Sequence, residues 1–379
     1  MAAQHPTAAL LLCEVVMEIL SWVPAKPVTR LKLVCKSWNS IISHPHFVKL
    51  HLHRSPKNAI LLFTRTQALT LGEKEKQDLV LSSVESFIRN PSSSLDAQEN
   101  RHSLHVDDRV SGSCNGLVCV ARMLCDHNNG VCDIWFRLWN PLTGFVSENS
   151  PCLRVNVYNS LGFGYDESSD SYKVVTLIRD SVTAQVYSFR GSSWKTINSL
   201  PAFLLFAEDI NGHFIGGTLN WLVLRNPHGP GYDWADVTLD MLMIVSFDLK
   251  SDTHKQILLP KGIDEVPGQT PILGVWGNRL YLLHNYKNTH FIAWQMKEFG
   301  DENSWTQLLK ISFHHLGVEM LSFPEFIFEN GNIFMLRGRH RFEEVFYDRR
   351  DNSVKRVNIL ANNCYFHAFD YVESLVQPC

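Results

Sequence analysis

The order of apolar and polar residues divides the chain into a short helical part and a long part built from strands. In the first part, residues 15–23 are apolar at seven of nine positions, with Glu18 and Ser21 as the exceptions. A helix that is apolar on almost every side has to be covered from more than one direction. Pro24 ends this helix, and Pro27 has the fixed φ angle that suits the first turn of a second helix.

The helical part has more apolar surface than it can bury by itself. The spacing of Trp38, Ile41 and Ile42 predicts a third short helix, which ends before Pro45. Three helices in about 40 residues enclose too small an interior to be stable alone. The surplus surface therefore either packs against the rest of the chain or docks into a partner's groove, through positions i, i+3, i+4 and i+7 of a helix. The pattern leaves both alternatives open.

Beyond His53 the pattern changes to short apolar runs separated by Gly, Asn, Asp and Pro, which predicts strands joined by tight turns. A unit of strand, polar turn and return strand recurs between about Arg109 and Leu360. Its aromatic anchors are 48, 60, 47 and 53 residues apart and are Trp139, Tyr187, Phe247, Trp294 and Tyr347. A period of about 50 residues with about four short strands per unit is typical of the blades of a kelch-like β-propeller.

The two ends of this region supply the strands for one more blade. Residues 58–63 and 365–372 are apolar runs that would form it together. Closing the ring in this way removes strand edges that otherwise invite aggregation. The predicted fold is therefore a small all-α domain followed by an all-β domain, a kelch-like β-propeller with six blades. A large β-sandwich of hairpins without closure is the alternative.

The composition is that of a globular protein with no strong preference for a charged partner. The formal net charge is -3 and 45% of the residues are hydrophobic, so neither nucleic acid nor a membrane is expected as a partner. Residues 1–54 carry six basic side chains against two acidic ones, whereas the remainder carries 29 against 36. The nine cysteines are an odd number without regular spacing, which predicts reduced thiols in a cytoplasmic or nuclear protein.

Three motifs that look like reactive or ligand-binding sites lack the residues that such chemistry needs. Residues 112–116 have the spacing of a nucleophile elbow around Cys114, but a strand rather than a helix is predicted to follow. Residues 126–130 begin like a calcium loop, yet Arg137 stands where a bidentate Glu is required, so we predict a hairpin tip. Residues 162–164 lack the third glycine of a dinucleotide loop. We therefore expect no catalytic residue, metal site or cofactor.

The stretch from residue 11 to residue 52 resembles the F-box of plant F-box proteins, whose general form is LPxELxxEILxRLPVKxLxRFKxVCKSWxxLIxxPxFxxxHL. The matching residues occur in the family's order and are Glu18, Ile19, Leu20, Pro24, Val34, Cys35, Lys36, Ser37, Trp38, Pro45, Phe47, His51 and Leu52. One departure from the pattern matters, because Leu12 stands where the family has proline. That proline belongs to the edge of the domain that faces the adaptor.

The region after the F-box resembles the F-box-associated interaction domain of the same proteins, of the F-box/kelch-repeat type. The matching segments occur in order between about residues 110 and 310 and include GSCNGLVCV from Gly112, LWNPLTG from Leu138, LGFGYDESSDSYKVV from Leu161, IVSFDL from Ile244 and LGVWGNRLYLL from Leu273. The resemblance divides the chain into an F-box at residues 8–54 and a propeller-like substrate-binding domain at residues 55–379.

The resemblance implies the substrate-recognition subunit of an SCF-type ubiquitin ligase, with no catalytic residues of its own. The F-box would bind a Skp-family adaptor, which links to a cullin–RING ligase, and the β domain would bind an unidentified target protein. The expected adaptor contacts are Leu11, Leu12, Val15, Ile19, Leu20 and Pro24. Val34, Cys35 and Trp38 are expected mainly to hold the helices together and also to make some contact with the adaptor. A glycan-binding propeller with a vestigial F-box is the alternative, because a fold does not fix a function.

One connection is long enough to suggest where a target binds. Residues 226–240 separate two predicted strands, and their Pro and Gly residues disfavour helix and strand. Connections longer than about 12 residues without secondary structure are usually functional or disordered. Tyr and Trp are common in interface hot spots, so we predict target contacts through Tyr232, Asp233 and Trp234. The alternative is that both rings pack back onto a blade.

Overall fold

The computed structural model describes residues 6–56, 60–67, 76–90, 93–94, 101–156, 159–178, 182–198, 203–205, 211–225, 232–318, 321–328, 331–338, 343–358 and 364–377. The N-terminal part contains the helices α1 Pro6–Ser21, α2 Ala25–Leu31, α3 Lys36–Ser43 and α4 Pro45–Arg54. Two short helices lie further along the chain and are α5 Val84–Arg89 and α6 Phe313–Leu316. None of the described helices has the length and apolar composition to span a bilayer.

The strands of the described residues are numbered in chain order. The first eleven are β1 Ile60–Gln67, β2 Lys76–Ser83, β3 Arg101–Leu104, β4 Asp108–Cys114, β5 Leu117–Asp126, β6 Val131–Trp139, β7 Leu153–Asn156, β8 Asn159–Asp166, β9 Ser171–Ile178, β10 Ala184–Ser188 and β11 Ser193–Ile197. The others are β12 Phe203–Leu204, β13 His213–Ile215, β14 Thr218–Leu224, β15 Leu242–Asp248, β16 Thr253–Ile257, β17 Ile272–Trp276, β18 Arg279–Tyr286, β19 His290–Met296, β20 Trp305–Ser312, β21 Leu321–Phe328, β22 Ile333–Gly338, β23 Glu343–Asp348, β24 Ser353–Asn358 and β25 Cys364–Tyr371.

These strands form six antiparallel sheets, which are the blades of a propeller. Blades 1 to 5 are β4–β7, β8–β11, β12–β16, β17–β20 and β21–β24, and blade 6 has the order β25-β1-β2-β3. The innermost strands contact one another in a ring, in the order β4, β8, β13, β17, β21, β25 and back to β4. The prediction of six blades is confirmed, and the open β-sandwich is excluded by this ring.

The ring closes in blade 6, which joins the first strand of the propeller to the last. β1 pairs with β25 over its whole length. Successive side chains of a strand point to opposite faces, and residues 61–63 of β1 are buried on both faces. Leu61 and Phe63 pack among the side chains of blade 5, whereas Leu62 packs with Val118 of blade 1. Burial on both faces explains the unbroken apolar run at residues 60–63, and the predicted blade built from the two ends is confirmed.

One hairpin of blade 1 carries a disulfide. Cys125 on β5 lies directly opposite Cys132 on β6, and the two are bonded. Residues opposite each other on antiparallel strands bring their Cβ atoms to about 4.5–5.5 Å, close to the separation that a disulfide needs. The prediction of reduced thiols is therefore wrong for this pair, because the hairpin register was not visible in the spacing. The described cysteines outside this disulfide are Cys13, Cys35, Cys114, Cys119 and Cys152.

The helices α1 to α4 share one small core, and the rest of the chain contributes to it. Leu20, Val28, Ile42 and Phe47 are its buried centre, and Leu375 from beyond the last strand is buried among them. Both alternatives for the surplus apolar surface therefore hold in part. Some of it packs against the propeller domain, and the remainder stays exposed.

A buried histidine fastens the end of α1 to α4. His51 is 1% exposed, and its Nε2–H donates a hydrogen bond to the carbonyl oxygen of Val23 at 2.8 Å. Burial lowers the pKa of His51, although the carbonyl acceptor opposes that shift. The imidazole is thus held neutral at a position where a positive charge would lie among apolar side chains.

Removing residues 364–379 should destabilise the entire propeller rather than fray one end. The truncation deletes β25, exposes the edge of β1 and removes Tyr371, which is 1% exposed. Losing one buried aromatic side chain alone costs about 3–5 kcal/mol, a large part of the roughly 5–15 kcal/mol of an ordinary domain. Thermal unfolding followed by tryptophan fluorescence is the measurement, with a chain lacking only residues 378–379 as the control. A truncated protein that melts at the parent's temperature would contradict closure by β25.

Lowering the pH from 7.5 to 5.5 should destabilise α4 selectively. The unfolded chain takes up a proton at His51 as the pH falls through the ordinary value of 6.5, whereas folded His51, with its lower pKa, stays neutral. The unfolded state then binds more protons than the folded state. The free energy of unfolding therefore decreases as the pH falls from about 6.5 to the pKa of folded His51, and it does not depend on this group above pH 6.5. Amide-exchange protection of α4, corrected for intrinsic rates, tests this. His51→Gln should remove the pH dependence, and equal protection of the parent at both pH values would refute it.

Candidate functional site

The helical part leaves five large apolar side chains open to solvent, three along α1 and just after it and two in a later turn. Val15, Ile19 and Trp22 are 52%, 61% and 57% exposed, and they follow one another at helical positions i, i+4 and i+7. Leu33 and Val34, in the turn between α2 and α3, are 88% and 59% exposed. These five residues, here called the F-box patch, make up half of the large apolar side chains that are exposed among the described residues. Clustered exposed apolar side chains mark interaction sites.

The predicted adaptor contacts on α1 divide into exposed and buried residues. Val15 and Ile19 are exposed, whereas Leu20 is only 3% exposed and belongs to the helical core. Adjacent residues on a helix point about 100° apart, so one of two neighbouring apolar residues can face solvent while the other faces inward. Leu20 is therefore not available at the surface. Leu11 and Leu12 lie in α1, but their side chains are outside the described residues.

The remaining predicted contacts lie near the first residues of α2 and α3. Pro24 is half-buried before α2, and Trp38 is half-buried against the helical core. The expectation that Val34 and Cys35 hold the helices together is wrong, because both are exposed in the turn that precedes α3. Cys35 caps α3 there, since its Sγ accepts a hydrogen bond from the backbone N–H of Trp38 at 3.5 Å. Adaptor contact by these residues stays a prediction.

Two members of the F-box patch, Trp22 and Leu33, were not predicted from the sequence. Their exposure follows from their positions just after α1 and α2, where the chain turns before it enters the next helix. The guanidinium of Arg54 lies over the Trp22 ring at 5.7 Å and also binds Glu18. The hydrogen bond from Arg54 lowers the pKa of Glu18. The exposure of Trp22 could have been predicted from its i+7 spacing to Val15, which places both residues on one side of the helix.

The helices sit on one face of the propeller. Blade 6 begins at Ile60 and ends at Tyr371, and these two residues pair with each other, so the helices and residues 372–377 leave the ring on the same side. Lys49 of α4 forms an ion pair of 2.8 Å with Asp170, in the turn between the first two strands of blade 2. That ion pair lowers the pKa of Asp170. We call this side of the propeller the helix face.

The predicted target-binding connection emerges on the opposite face. Each of blades 1 to 5 is an antiparallel meander that starts at the ring centre, and a parallel bridge between Gly162 and Gly212 shows that neighbouring innermost strands run the same way. The link between the second and third strands of a blade therefore lies opposite the link between the first and second. In blade 3, β12 and β13 both pair with β14, so β14 is the second strand outward from the ring centre. The connection from β14 to β15 is therefore of this kind, and it faces away from the helices.

The described half of that connection is more ordered than its composition predicts. Two short 3-10 turns, Trp234–Asp236 and Leu239–Met241, replace the expected structureless loop, while residues 226–231 lie outside the described ranges. Trp234 is half-buried, and its Nε1–H donates a hydrogen bond to the Pro267 carbonyl at 2.9 Å. Tyr232 is also half-buried and packs against the same small apolar cluster as Trp234. Asp233 is exposed, and its carboxylate caps the first turn by accepting from the Ala235 N–H.

The three motifs that resembled chemical sites are parts of blades. Cys114 is buried at the end of β4 and the strand β5 follows it, as predicted. Residues 126–130 form the tip of the β5–β6 hairpin, where the Asp126 carboxylate accepts hydrogen bonds from the N–H groups of Asn128 and Asn129. Gly162 lies within β8, and a Cβ there would collide with the Trp221 ring. Within the described ranges, no three His, Cys, Asp or Glu side chains lie together as metal ligands would.

The buried charges pair within the blades and, in the case of Lys173, also with Asp252 of the next blade. The Asp108 carboxylate is fully buried and accepts hydrogen bonds from Arg122 Nε at 2.9 Å and Arg137 Nη2 at 2.6 Å. Lys173 lies 3.1 Å from the Asp166 carboxylate of the neighbouring strand. A buried charge without a partner is strongly destabilising, so each of these charged groups needs the partner that it has in the blades.

Known proteins resemble this chain in both parts. Solved structures match it only loosely, such as apo AztD from Citrobacter koseri, with a TM-score of 0.42 and 9% identity over 79% of this chain and 83% of that one. The β-propeller domain of the Trilobed protease from Pyrococcus furiosus has a TM-score of 0.38 and 9% identity over 81% of this chain and 94% of its own. Likeness at this level carries no argument about function.

Relatives in Arabidopsis thaliana are much closer. An F-box/kelch-repeat protein is 29% identical over 79% of this chain and 78% of its own length, and the F-box protein CPR1 is 24% identical over 79% and 72%. An F-box/LRR-repeat/kelch-repeat protein is 22% identical over 96% of both chains. The family model of the F-box domain matches residues 10–50, and that of the F-box associated beta propeller domain matches residues 71–378. The chain belongs to the family of F-box proteins with an F-box-associated β-propeller.

Proposed function

We propose that this protein is the substrate-recognition subunit of an SCF-type ubiquitin ligase. The F-box binds a Skp-family adaptor, which links it to a cullin–RING ligase, and the propeller binds a target protein for ubiquitination. The observation that carries the proposal is the F-box patch, because it leaves apolar side chains exposed on a domain that the family match identifies as an F-box. A groove on a partner would remove those side chains from water, in the manner of helix-in-groove recognition.

Such a subunit needs no catalytic residue. Holding the target beside the transferring enzyme raises its effective concentration, which accelerates the transfer by itself. The F-box patch belongs to the helices, which sit on one face of the propeller, whereas the connection with Tyr232, Asp233 and Trp234 emerges on the other face. A target bound at that connection would not compete with the helices for space. We therefore assign target contact to the face opposite the helices.

Val15→Asp combined with Ile19→Asp should abolish binding of a Skp-family adaptor. Both side chains are more than half exposed, so the variant should fold, but an adaptor groove would have to bury two unpaired carboxylates. Each costs at least about 2 kcal/mol, so the affinity should fall by roughly a thousandfold. Calorimetric titration with the purified adaptor measures it. Val182→Asp with Leu258→Asp, which changes exposed apolar residues of the blades, is the matched control and should bind normally. A folded Val15/Ile19 variant with parental affinity would refute the adaptor surface.

Asp233→Lys should reduce target capture without lowering the melting temperature by more than a few degrees. Asp233 is exposed, so its replacement leaves the packing of Trp234 intact and removes a cap of about 1 kcal/mol. Capture is measured by mass spectrometry from proteasome-inhibited plant cells, with the Val15/Ile19 variant as bait so that bound targets are not consumed. Asp233→Asn, which keeps the cap, is the control for the fold. Identical capture by this bait with and without Asp233→Lys would place the target elsewhere.

A further inference from the structure

The six residues that follow the closing strand, residues 372–377, run along the helix face instead of leaving the molecule. We call them the tail. Leu375 lies at their centre, is 2% exposed, and packs in the same cluster as Val28, Ile42 and Phe47 of the F-box. Val376, the next residue, packs instead against the apolar core of blades 1 and 2. Neighbouring tail residues therefore enter two different interiors, one helical and one built from strands.

The tail is held in place by the polar side chain of Asn140, which follows β6 and is fully buried. Its Nδ2 group donates hydrogen bonds to two tail carbonyls, that of Ser374 at 3.0 Å and that of Val376 at 2.6 Å. Its Oδ1 accepts from the backbone N–H of Leu142 at 2.9 Å, and Leu142 itself packs against the F-box core. One amide thus fixes the tail and the turn beside it together.

A second turn of blade 1 holds the tail from the other side. The Ser374 hydroxyl donates a hydrogen bond to the carbonyl oxygen of Asn115 at 2.6 Å. Gly116, the next residue, has a φ of +79°, and a Cβ there would overlap the Ser374 side chain. Glycine is required at this position both by its backbone angle and by the tail. The two loop motifs quoted from the sequence, around Asn115 and Asn140, therefore converge on one segment.

The other described contacts between the F-box and the propeller are weaker. The ion pair of Lys49 with Asp170 has side chains 57% and 44% exposed, and exposed pairs contribute little because water screens them. Lys26 lies near the tail residue Glu373, where burial raises the pKa of the carboxyl group and Lys26 opposes that shift. Leu142 is only half-buried. Leu375 is the one fully buried propeller-domain side chain in the described helical core.

We propose that the tail completes the core of the F-box and fixes the orientation of the F-box on the propeller, with Leu375 as the positioning residue. The F-box of this protein is then not an independent module. Four short helices enclose little apolar volume, and Leu375 adds a complete side chain to it from a segment that blade 1 immobilises. This inference goes beyond the proposed function, because it concerns the free protein and holds whether or not an adaptor binds.

Hydrogen exchange of the full-length protein, measured by mass spectrometry without any partner, tests the proposal. Leu375→Ala leaves a cavity in the helical core, so amides of α2 to α4 should exchange roughly 30-fold faster or more, in proportion to the usual cost of a buried leucine. The exchange rates of amides in β14 and β18, which lie in blades 3 and 4 away from the tail, should change less than about twofold, because distant sites are energetically independent. Leu375→Met should restore most of the protection, since methionine conserves the volume.

Gln377→Ala, at an exposed tail position, is the matched control and should exchange like the parent. Unchanged protection of α2 to α4 in Leu375→Ala would overturn the proposal, because the F-box would then be stable without the tail. Equal loss of protection in the helices and in β14 and β18 would overturn it as well, because Leu375 would then be a residue of a single common core.

Discussion

The pairing of β1 with β25 is the constraint on which the rest of the structure depends. It joins residues that are about 300 positions apart, and every blade is packed between two neighbours only because this pairing exists. Bringing such distant segments together costs chain entropy. The cost is offset because residues 61–63 of β1 are buried on both faces, against blade 5 on one side and blade 1 on the other. The same pairing directs both ends of the propeller to one face, where the helices and the tail meet.

Local sequence patterns were sufficient for the blades and for the helices, because each is a short-range structure. Turn residues and alternating apolar positions identified the hairpins, and the two apolar end segments identified the closing blade. Which apolar residue of α1 faces inward was not visible, since Ile19 and Leu20 are adjacent and equally apolar. Their difference comes from packing partners as distant as Leu375. The bond between Cys125 and Cys132 also depends on a strand register that cysteine spacing alone did not reveal.

The two predicted surfaces were harder to assign than the fold, for a physical reason. The sequence alone does not distinguish a Tyr or Trp that binds a partner from one that packs on its own blade. The structure shows Tyr232 and Trp234 half-buried, with the Trp234 indole hydrogen-bonded to the carbonyl of Pro267. A large exposed fraction, such as that of Leu33, shows that an apolar side chain does not pack within the protein and is open to a partner. The F-box patch is thus better defined than the target surface.

The position of Leu375 has a consequence for how the protein is made. Ribosomes release the F-box helices first, but the side chain that completes their core lies more than 300 residues later. At about 5–20 residues per second, that separation corresponds to roughly 20 to 60 seconds of translation. During this interval the emerging helices hold a vacancy in their interior together with the exposed F-box patch. The nascent chain therefore keeps these apolar side chains exposed until residues 372–377 have been made.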